Sequence, residues 1–398
     1  MNRCKQAIVL AIVLFLSVCG AGCKRNNNNQ REINSIDFVR MVGIDAVQEM
    51  PGQLNVTLEL KAGNGGGDSG GGGEEKGGGQ QEEATLLSAQ GSSFSEAMTQ
   101  IQAQHDKRLV LSHSDFFLVG EAAAQQGLAP FMDFISRSNQ IQFTANVYIT
   151  KGEAAELIKA FSKENGLVSN QLKNLSEQVW DLSNANNTTV IQVMGMLDDP
   201  YGGMKIPYLA LIEQEDGKKN LEVGGYALFQ DTVLVDFADT DASRGLNFFT
   251  NEVYSGIIPI RDSNGEIVVT RITDTETKTK TKYQEEMLTV QVQVEVHTTL
   301  EEMHAAQNVF VSPEYEMIIR GQNQYIKTLI LRAVEEAKQN QTDVLSLATV
   351  FRMQHPVIWE NIKENWTQIL LNSKFEVEVS SRMDRSYDYE ESNRSDQS

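Results

Sequence analysis

The chain is short of cations, of cysteine and of long apolar runs. Among 398 residues there are 34 Lys plus Arg against 54 Asp plus Glu, a net charge of −20. Nucleic-acid binding needs concentrated Lys and Arg to displace counterions, so this balance excludes it as a function class. Three cysteines are present, Cys4, Cys19 and Cys23. The longest apolar stretch, Ala7 to Val18 with Ser17 its one polar residue, falls short of the roughly 20 residues that a helix needs to span a bilayer. Glycine is scarce outside one tract, because 11 of the 30 lie between Gly63 and Gly79. What remains is a chain with 40% hydrophobic residues, enough for packed interiors and long enough for two or three domains.

The N-terminus has the architecture of an export signal. Arg3 and Lys5 precede the apolar run, and Gly20-Ala21-Gly22-Cys23 follows it. Small residues admit the chain to a signal peptidase in extended form, and a cysteine at the cut can be thioether-linked to diacylglycerol. The segment resembles a bacterial lipobox, with Gly20 where Leu is commonest. Cys23 is therefore the expected lipidation site, with residues 1–22 as signal peptide and 23–34 as a polar tether. Cys4 and Cys19 would leave with the signal. One cysteine would remain, which excludes an internal disulfide, a cysteine-based metal site and a cysteine nucleophile.

Alternation and helical spacing predict a mixed fold. Leu54, Val56, Leu58 and Leu60 alternate with polar residues, as in a half-buried strand, and pair across Met50-Pro51-Gly52 with a strand over 36–44. The tract 63–79 formally contains G-x-G-x-x-G, but no helix opens after it to present amides to a pyrophosphate. It reads as a flexible insertion lengthening a hairpin. Ser93-Phe94-Ser95-Glu96 is a capping-box pattern ahead of Phe94, Ala97 and Ile101 on one face. Thr273 to Thr281 alternate with charged residues, predicting an exposed ribbon. Leu288 to Val296 alternate with polar residues, predicting a strand with one buried face. Ser312-Pro313-Glu314 starts a helix, and Pro356 another that carries Trp359, Ile362, Trp366 and Leu370.

The expected fold class is α+β: three mixed α/β domains, sheets flanked by helices, in an elongated arrangement. The expected boundaries are an N-terminal α/β domain over 35–190 with the insertion 63–79, a strand-rich middle domain over 191–285, a C-terminal α+β domain over 286–382 and an acidic disordered tail over 383–398.

Candidate chemistry is sparse. Ser112-His113-Ser114-Asp115 has catalytic residue types, but sequence neighbours on a strand face opposite ways, and no G-x-S-x-G elbow accompanies them. A turn is the better reading. The five histidines, His105, His113, His297, His304 and His355, form neither H-x-x-x-H nor H-E-x-x-H, so no zinc site is expected. Gly217-Lys218 lacks the upstream glycine of a P-loop, with Ile212 in its place. No catalytic residue, metal or cofactor is expected. Within Ser243-Arg244-Gly245-Leu246-Asn247, Arg244 suits bidentate carboxylate recognition and Gly245 close backbone approach. Arg244 and Asn247 are thus candidate partner contacts, weighed against an internal Arg–carboxylate pair that fixes a turn.

Several segments taken together resemble one family, the Ger(x)C spore germination lipoproteins. They are Arg31-Glu32-Ile33, Val42-Gly43-Ile44-Asp45, Leu109-Val110-Leu111-Ser112-His113 and Val119-Gly120-Glu121. Further along come Gly225-Tyr226-Ala227-Leu228-Phe229, Ser243-Arg244-Gly245-Leu246-Asn247, and Asp343-Val344-Leu345 with Pro356, Trp359 and Trp366. The resemblance implies a non-enzymatic C subunit of a nutrient germinant receptor. It further implies a lipid anchor on the outer surface of the inner spore membrane and assembly with two integral-membrane subunits of A and B type. The glycine tract and the acidic tail depart from the pattern. A solute-binding lipoprotein that presents a small molecule to a transporter is the alternative, and it demands a deep cleft with convergent polar groups.

Overall fold

A computed structural model describes residues 35–61, 84–262, 264–303 and 313–384. Cys23, the signal and tether, the tract 63–79, His304 and most of the acidic tail lie outside the described residues. Phe38 and the described residues after it fall into one compact unit.

Two sheets organise that unit. The first runs β3 (Ala84–Gly91), β2 (Leu54–Lys61), β1 (Ile36–Ala46), β5 (Phe116–Gly120), β6 (Asn146–Thr150), β7 (Met204–Glu213), β8 (Lys219–Gln230), β9 (Val233–Phe237), with β4 (Arg108–Val110) also on β1. Its centre, β1-β5-β6-β7, is parallel, and hairpin-linked antiparallel strands extend it on both sides. Parallel strands need crossovers that leave helices on both faces. Accordingly, every residue of β5 is buried, and so is β1 from Met41 onward. On one face lie α1 (Phe94–Ala103), α2 (Glu121–Gln126), α3 (Ala129–Arg137) and α6 (Val190–Leu197), around Val42, Ile44, Phe117 and Val119. On the other lie α4 (Ala154–Asn165) and α5 (Val168–Leu182), around Met41, Phe116 and Leu118.

The second sheet is β10 (Ile257–Arg261), β11 (Ile267–Gln284), β12 (Met287–Met303) and β13 (Lys374–Asp384). Its buried face, Leu288 to Val296, meets α7 (Thr240–Phe249), the long α8 (Glu314–Gln339) and the short helices α9 (Leu347–Gln354), α10 (Pro356–Ile362) and α11 (Trp366–Asn372). That apolar cluster is continuous with the α4–α5 face of the first sheet.

The α+β class matches expectation, while the strands of the middle segment distribute differently. Of residues 191–285, β7 to β9 extend the first sheet and β10 and β11 belong to the second. Alternation identifies a strand but not its neighbours, so sheet membership could not be read from it. Three smaller differences have local causes. The Thr face of β11 is half-buried rather than exposed, because Thr275 and Thr277 hydroxyls donate to the Val253 and Phe248 carbonyls (2.9 and 2.6 Å). The helix after Pro356 is interrupted by a 3₁₀ turn at Lys363–Asn365, yet Trp359, Trp366 and Leu370 keep one buried side. Finally, β13 takes in Met383 and Asp384, the first two residues of the expected tail, by parallel pairing with Thr298 and Thr299.

Two buried carboxylates fasten helices to the first sheet. The residue before α4, Glu153, makes no side-chain cap, and neither does Leu167 before α5. Instead Asp45 of β1 accepts from Ala154 N and Ala155 N at 2.7 and 2.9 Å. Glu59 of β2 accepts from Val168 N and Ser169 N at 2.6 and 3.0 Å. Each carboxylate takes up two orphan N–H groups at the positive end of a helix dipole. Burial pushes the Asp45 carboxyl up to about 6 although those N–H groups pull it down, and it raises Glu59 likewise.

Close approach fixes the α7–α8 crossing. A side chain at Gly245 would run into the Leu329 carbonyl, with Ala333 Cβ at 3.0 Å. Backbone cannot step aside as a flexible side chain can. Gly245→Ala is expected to destabilise the protein by about 2–3 kcal/mol, measured by urea denaturation of the purified chain.

Candidate functional site

The described unit contains a cleft of about 950 Å³ built from both sheet systems. Its lining comes from the segment before α6, the start of β7, the loop after α7, the Thr face of β11, and the stretch from Val344 through α9. These pieces are far apart in sequence, and specific bonds hold each in place. Thr189 opens α6 with a capping box closed by Gln192. The Gly203 N–H donates to the Asp343 carbonyl at 3.0 Å, and the Thr342 hydroxyl to the Phe229 carbonyl at 2.6 Å. Gln354 spans to β11, accepting from Thr281 N and donating to the Thr279 carbonyl, both at 2.8 Å.

Charge in the cleft is internally matched. Lys205 of β7 pairs with Glu252, donates to the Thr250 hydroxyl at 3.0 Å and lies 4.8 Å from the Tyr226 ring centre. Burial alone would raise the Glu252 carboxyl, but the Lys205 charge and the Lys205 and Thr250 hydrogen bonds outweigh it, leaving the group below the usual carboxylate range. The Tyr226 hydroxyl accepts from Asn186 N and donates to Asn247 Oδ1, both at 2.7 Å, and burial pushes its ionisation far up. Asp199 accepts from Thr349 Oγ1 at 3.2 Å and from Tyr201 N at 3.2 Å, with Arg352 at 4.0 Å. No nucleophile–base–orienter chain arises from these bonds.

Beside the cleft sits a third buried carboxylate. Asp343 accepts from Leu347 N at 2.9 Å, from Ala348 N at 2.6 Å and from the Trp366 indole N–H at 3.0 Å. It thereby caps α9, whose own N-cap Ser346 sits in the left-handed region at φ 57° with no side-chain bond. Trp366 packs edge-on against Trp359 at 5.2 Å, and Phe351 of α9 adjoins both. The tryptophan stripe is core, and its one polar edge goes to Asp343. Burial pushes the Asp343 carboxyl up to about 7 despite the three donors.

The residues singled out from sequence occupy different places. Arg244 and Asn247 lie on α7, a buried helix rather than a turn. Arg244 donates to Tyr325 Oη at 2.9 Å and to the Ile257 carbonyl at 2.7 Å, so its partners are neutral and internal, not a carboxylate. Asn247 Nδ2 donates to the Ser183 carbonyl at 2.9 Å and is fully buried. Both therefore point into the protein and tie α7 to its neighbours, which leaves no side-chain surface for a partner at Asn247 and little at Arg244. Ser114 is buried and donates to the Val39 carbonyl at 3.1 Å, while the His113 ring packs on Phe38 at 4.6 Å. The two side chains serve separate contacts. His355 bonds the Thr281 carbonyl at 2.8 Å, and His297 lies near Arg382 and Asp384. Among the described residues, no three His, Cys, Asp or Glu side chains gather as metal ligands. The cleft residues Asn186, Lys205, Glu252 and Gln354 escaped sequence reading because no motif spacing joins them.

Comparison with known proteins assigns a relationship to the chain as a whole. The model of the spore germination protein N-terminal domain matches residues 29–213, and that of the spore germination B3/GerAC-like C-terminal domain matches 224–387. Spore germination protein B3 of Bacillus subtilis (strain 168) is 22% identical over 304 residues, 74% of this chain and 79% of that protein. The putative spore germination protein YfkR of the same organism is 24% identical over 163 residues, and the match spans 41% of its length. The crystal structure of the GerBC protein superposes with a TM-score of 0.52 at 16% identity, covering 86% of this chain and 96% of that one, and so shares the fold.

The Asp343 carboxyl makes stability depend on pH with a definite sign. Its folded value of about 7 lies above the unfolded 3.8, so the native state holds the proton more tightly. The contribution is complete below about pH 4 and is lost as pH rises through 7, a fall on the order of a few kcal/mol. Denaturant titrations from pH 4 to 8 are expected to show this decline, and Asp343→Asn is expected to flatten it while lowering stability at pH 4.

Proposed function

This chain belongs to the GerAC-type family of spore germination proteins, and from that premise we propose that it is a lipid-anchored, non-enzymatic C subunit of a nutrient germinant receptor. The observation that carries the reading is the ordered match of the N-terminal and C-terminal family models, which together take in most of the chain. A role in germination follows from the family; the anchor, the partners and the absence of catalysis belong to the proposal.

The anchor rests on Cys23, placed after a charged n-region, a 12-residue stretch that is apolar except for Ser17, and three small residues. Among the described residues no helix is long and apolar enough to cross a membrane. Attachment would come from the diacylglyceryl group, whose two chains hold where a single chain binds only reversibly. The acidic surface would gain nothing from anionic lipid, so the acyl chains carry the attachment. On the outer surface of the inner spore membrane the tether confines the folded unit beside the two integral-membrane subunits. That confinement raises effective concentration, so interfaces of modest affinity suffice for assembly. The subunit's part in the response is thereby organisational: it completes a complex in which nutrient recognition is coupled to the onset of germination.

The cleft gives some support to the alternative, a solute-binding lipoprotein serving a transporter. The two readings diverge in what the protein is bound to. Affinity capture from spore membranes is expected to recover two multi-span subunits, whereas recovery of a transporter would favour the alternative.

Cys23→Ala tests the anchor directly. Spores carrying this variant are expected to lose most of the response to nutrient and to release the protein from the membrane fraction, as followed by optical-density loss and immunoblotting. A normal nutrient response with the protein in the soluble fraction would overturn the anchored model.

A further inference from the structure

We propose that the cleft between α6, β11 and α9 binds a neutral, polyhydroxylated small molecule, a sugar or polyol. The inference is independent of the anchored-subunit reading, because it rests on the lining alone.

Charge excludes the first class of competitor. The charged side chains of the lining are Asp199, Lys205 and Glu252. Lys205 is taken up by Glu252, Thr250 and the Tyr226 ring. Asp199 is satisfied by Thr349, Tyr201 N and the nearby Arg352. A phosphate or a free amino acid needs an unmatched cation for its anionic group, ideally an Arg fork. This lining offers none, so recognition of such a ligand would mean breaking the Lys205–Glu252 pair in a half-buried setting.

Hydrogen-bonding capacity points to hydroxyl groups. Asn186 Oδ1, Gln192 Nε2, Asn251 Nδ2, Thr279 Oγ1 and Ser346 Oγ have no partner among the described residues. Together they supply an amide acceptor, two amide donors and two hydroxyls. A sugar hydroxyl both donates and accepts, so it matches a mixed set of this kind better than any ligand of one polarity. An apolar ligand would strand these groups, at about 1–3 kcal/mol for each one desolvated without a partner.

Shape and stacking agree. Tyr254 borders the cleft with 55% of its surface exposed, and Met353 lies on the same rim, so apolar faces alternate with the amides and hydroxyls of the lining. Sugars present C–H faces to such rings while their hydroxyls turn to amides. The volume of about 950 Å³ lies at the upper end of the range for small-molecule sites and has room for a disaccharide.

The test is saturation-transfer NMR and calorimetry on the full chain in detergent. The probes are glucose, trehalose, myo-inositol and N-acetylglucosamine, with glutamate and glucose 6-phosphate as charged comparators. Two variants locate the binding. A Cβ at Gly195, a lining residue on the exposed side of α6, meets nothing within 4 Å, so Gly195→Trp can be introduced there to crowd the cleft. Tyr254→Ala removes the stacking face. The expected result is saturable binding of at least one neutral probe, weakened at least about tenfold, or roughly 1.4 kcal/mol, by either variant with the thermal midpoint unchanged. Failure of all four neutral probes to bind at about 50 mM, where a millimolar site is saturated, would overturn the proposal. So would tighter binding of a charged comparator, or neutral-probe binding that Gly195→Trp leaves intact. Should Gly195→Trp misfold, Tyr254→Ala alone decides the location.

Discussion

A carboxylate buried at the N-terminus of a helix is the interaction on which this fold depends. Among the described residues it occurs three times, at Asp45 under α4, Glu59 under α5 and Asp343 under α9. In each case the residue at the helix's own N-cap makes no side-chain bond, so the orphan amides are served from elsewhere in the chain. For Asp45 and Glu59 the donor and acceptor are 109 residues apart, which turns a capping bond into a tertiary constraint. Helix and strand must come together for either to be satisfied. Taking an unpaired carboxylate out of water is costly, so once collapse buries these groups the helices have only one acceptable position. Gly120 belongs to the same device, since any side chain there would collide with the Asp45 carboxylate.

The cleft is a consequence of how the third of these caps is placed. Asp343 ties α9 to Trp366, while its own carbonyl accepts from Gly203 and its neighbour Thr342 reaches Phe229. One short stretch thus joins the second sheet's helices to the start of β7 and the end of β8. Between that junction and the Thr face of β11 the two systems do not close on each other. The gap is lined by amides and hydroxyls of Asn186, Gln192, Asn251, Thr279 and Gln354 together with the apolar side chains of Met196, Val350 and Met353. Tyr226 and Lys205 close the inner part with a matched set of bonds, and the outer residues keep free capacity.

Much of the local structure could be read from the chain. The Ser93 cap and the Leu288 to Val296 face appear as their pattern requires, whereas the strand over 54–60 is buried on both faces rather than one, because Thr57 and Glu59 lie under the helices and Glu59 caps α5. Periodicity failed where a polar side chain finds a partner that sequence cannot show. The Thr residues of β11 alternate with charges like a solvated ribbon, yet their hydroxyls dock on carbonyls of the α7 region. Arg244 has the chemistry of an anchor for a partner and instead spends it on Tyr325 and Ile257. A side chain's capacity for a bond is a property of its type; the address of that bond is set by the fold.

What the sequence determined by itself is the α+β class and the family, because each is carried by local periodicity or by short segments in fixed order. Sheet membership, the inward direction of Arg244 and Asn247, and the cleft itself were decided only in three dimensions. Asn186, Lys205, Glu252, Thr279 and Gln354 have no shared period or spacing along the chain. They meet because β7, the α7 loop, β11 and α9 are held in register by long-range bonds such as Gly203 N–H to the Asp343 carbonyl and Thr281 N–H to Gln354.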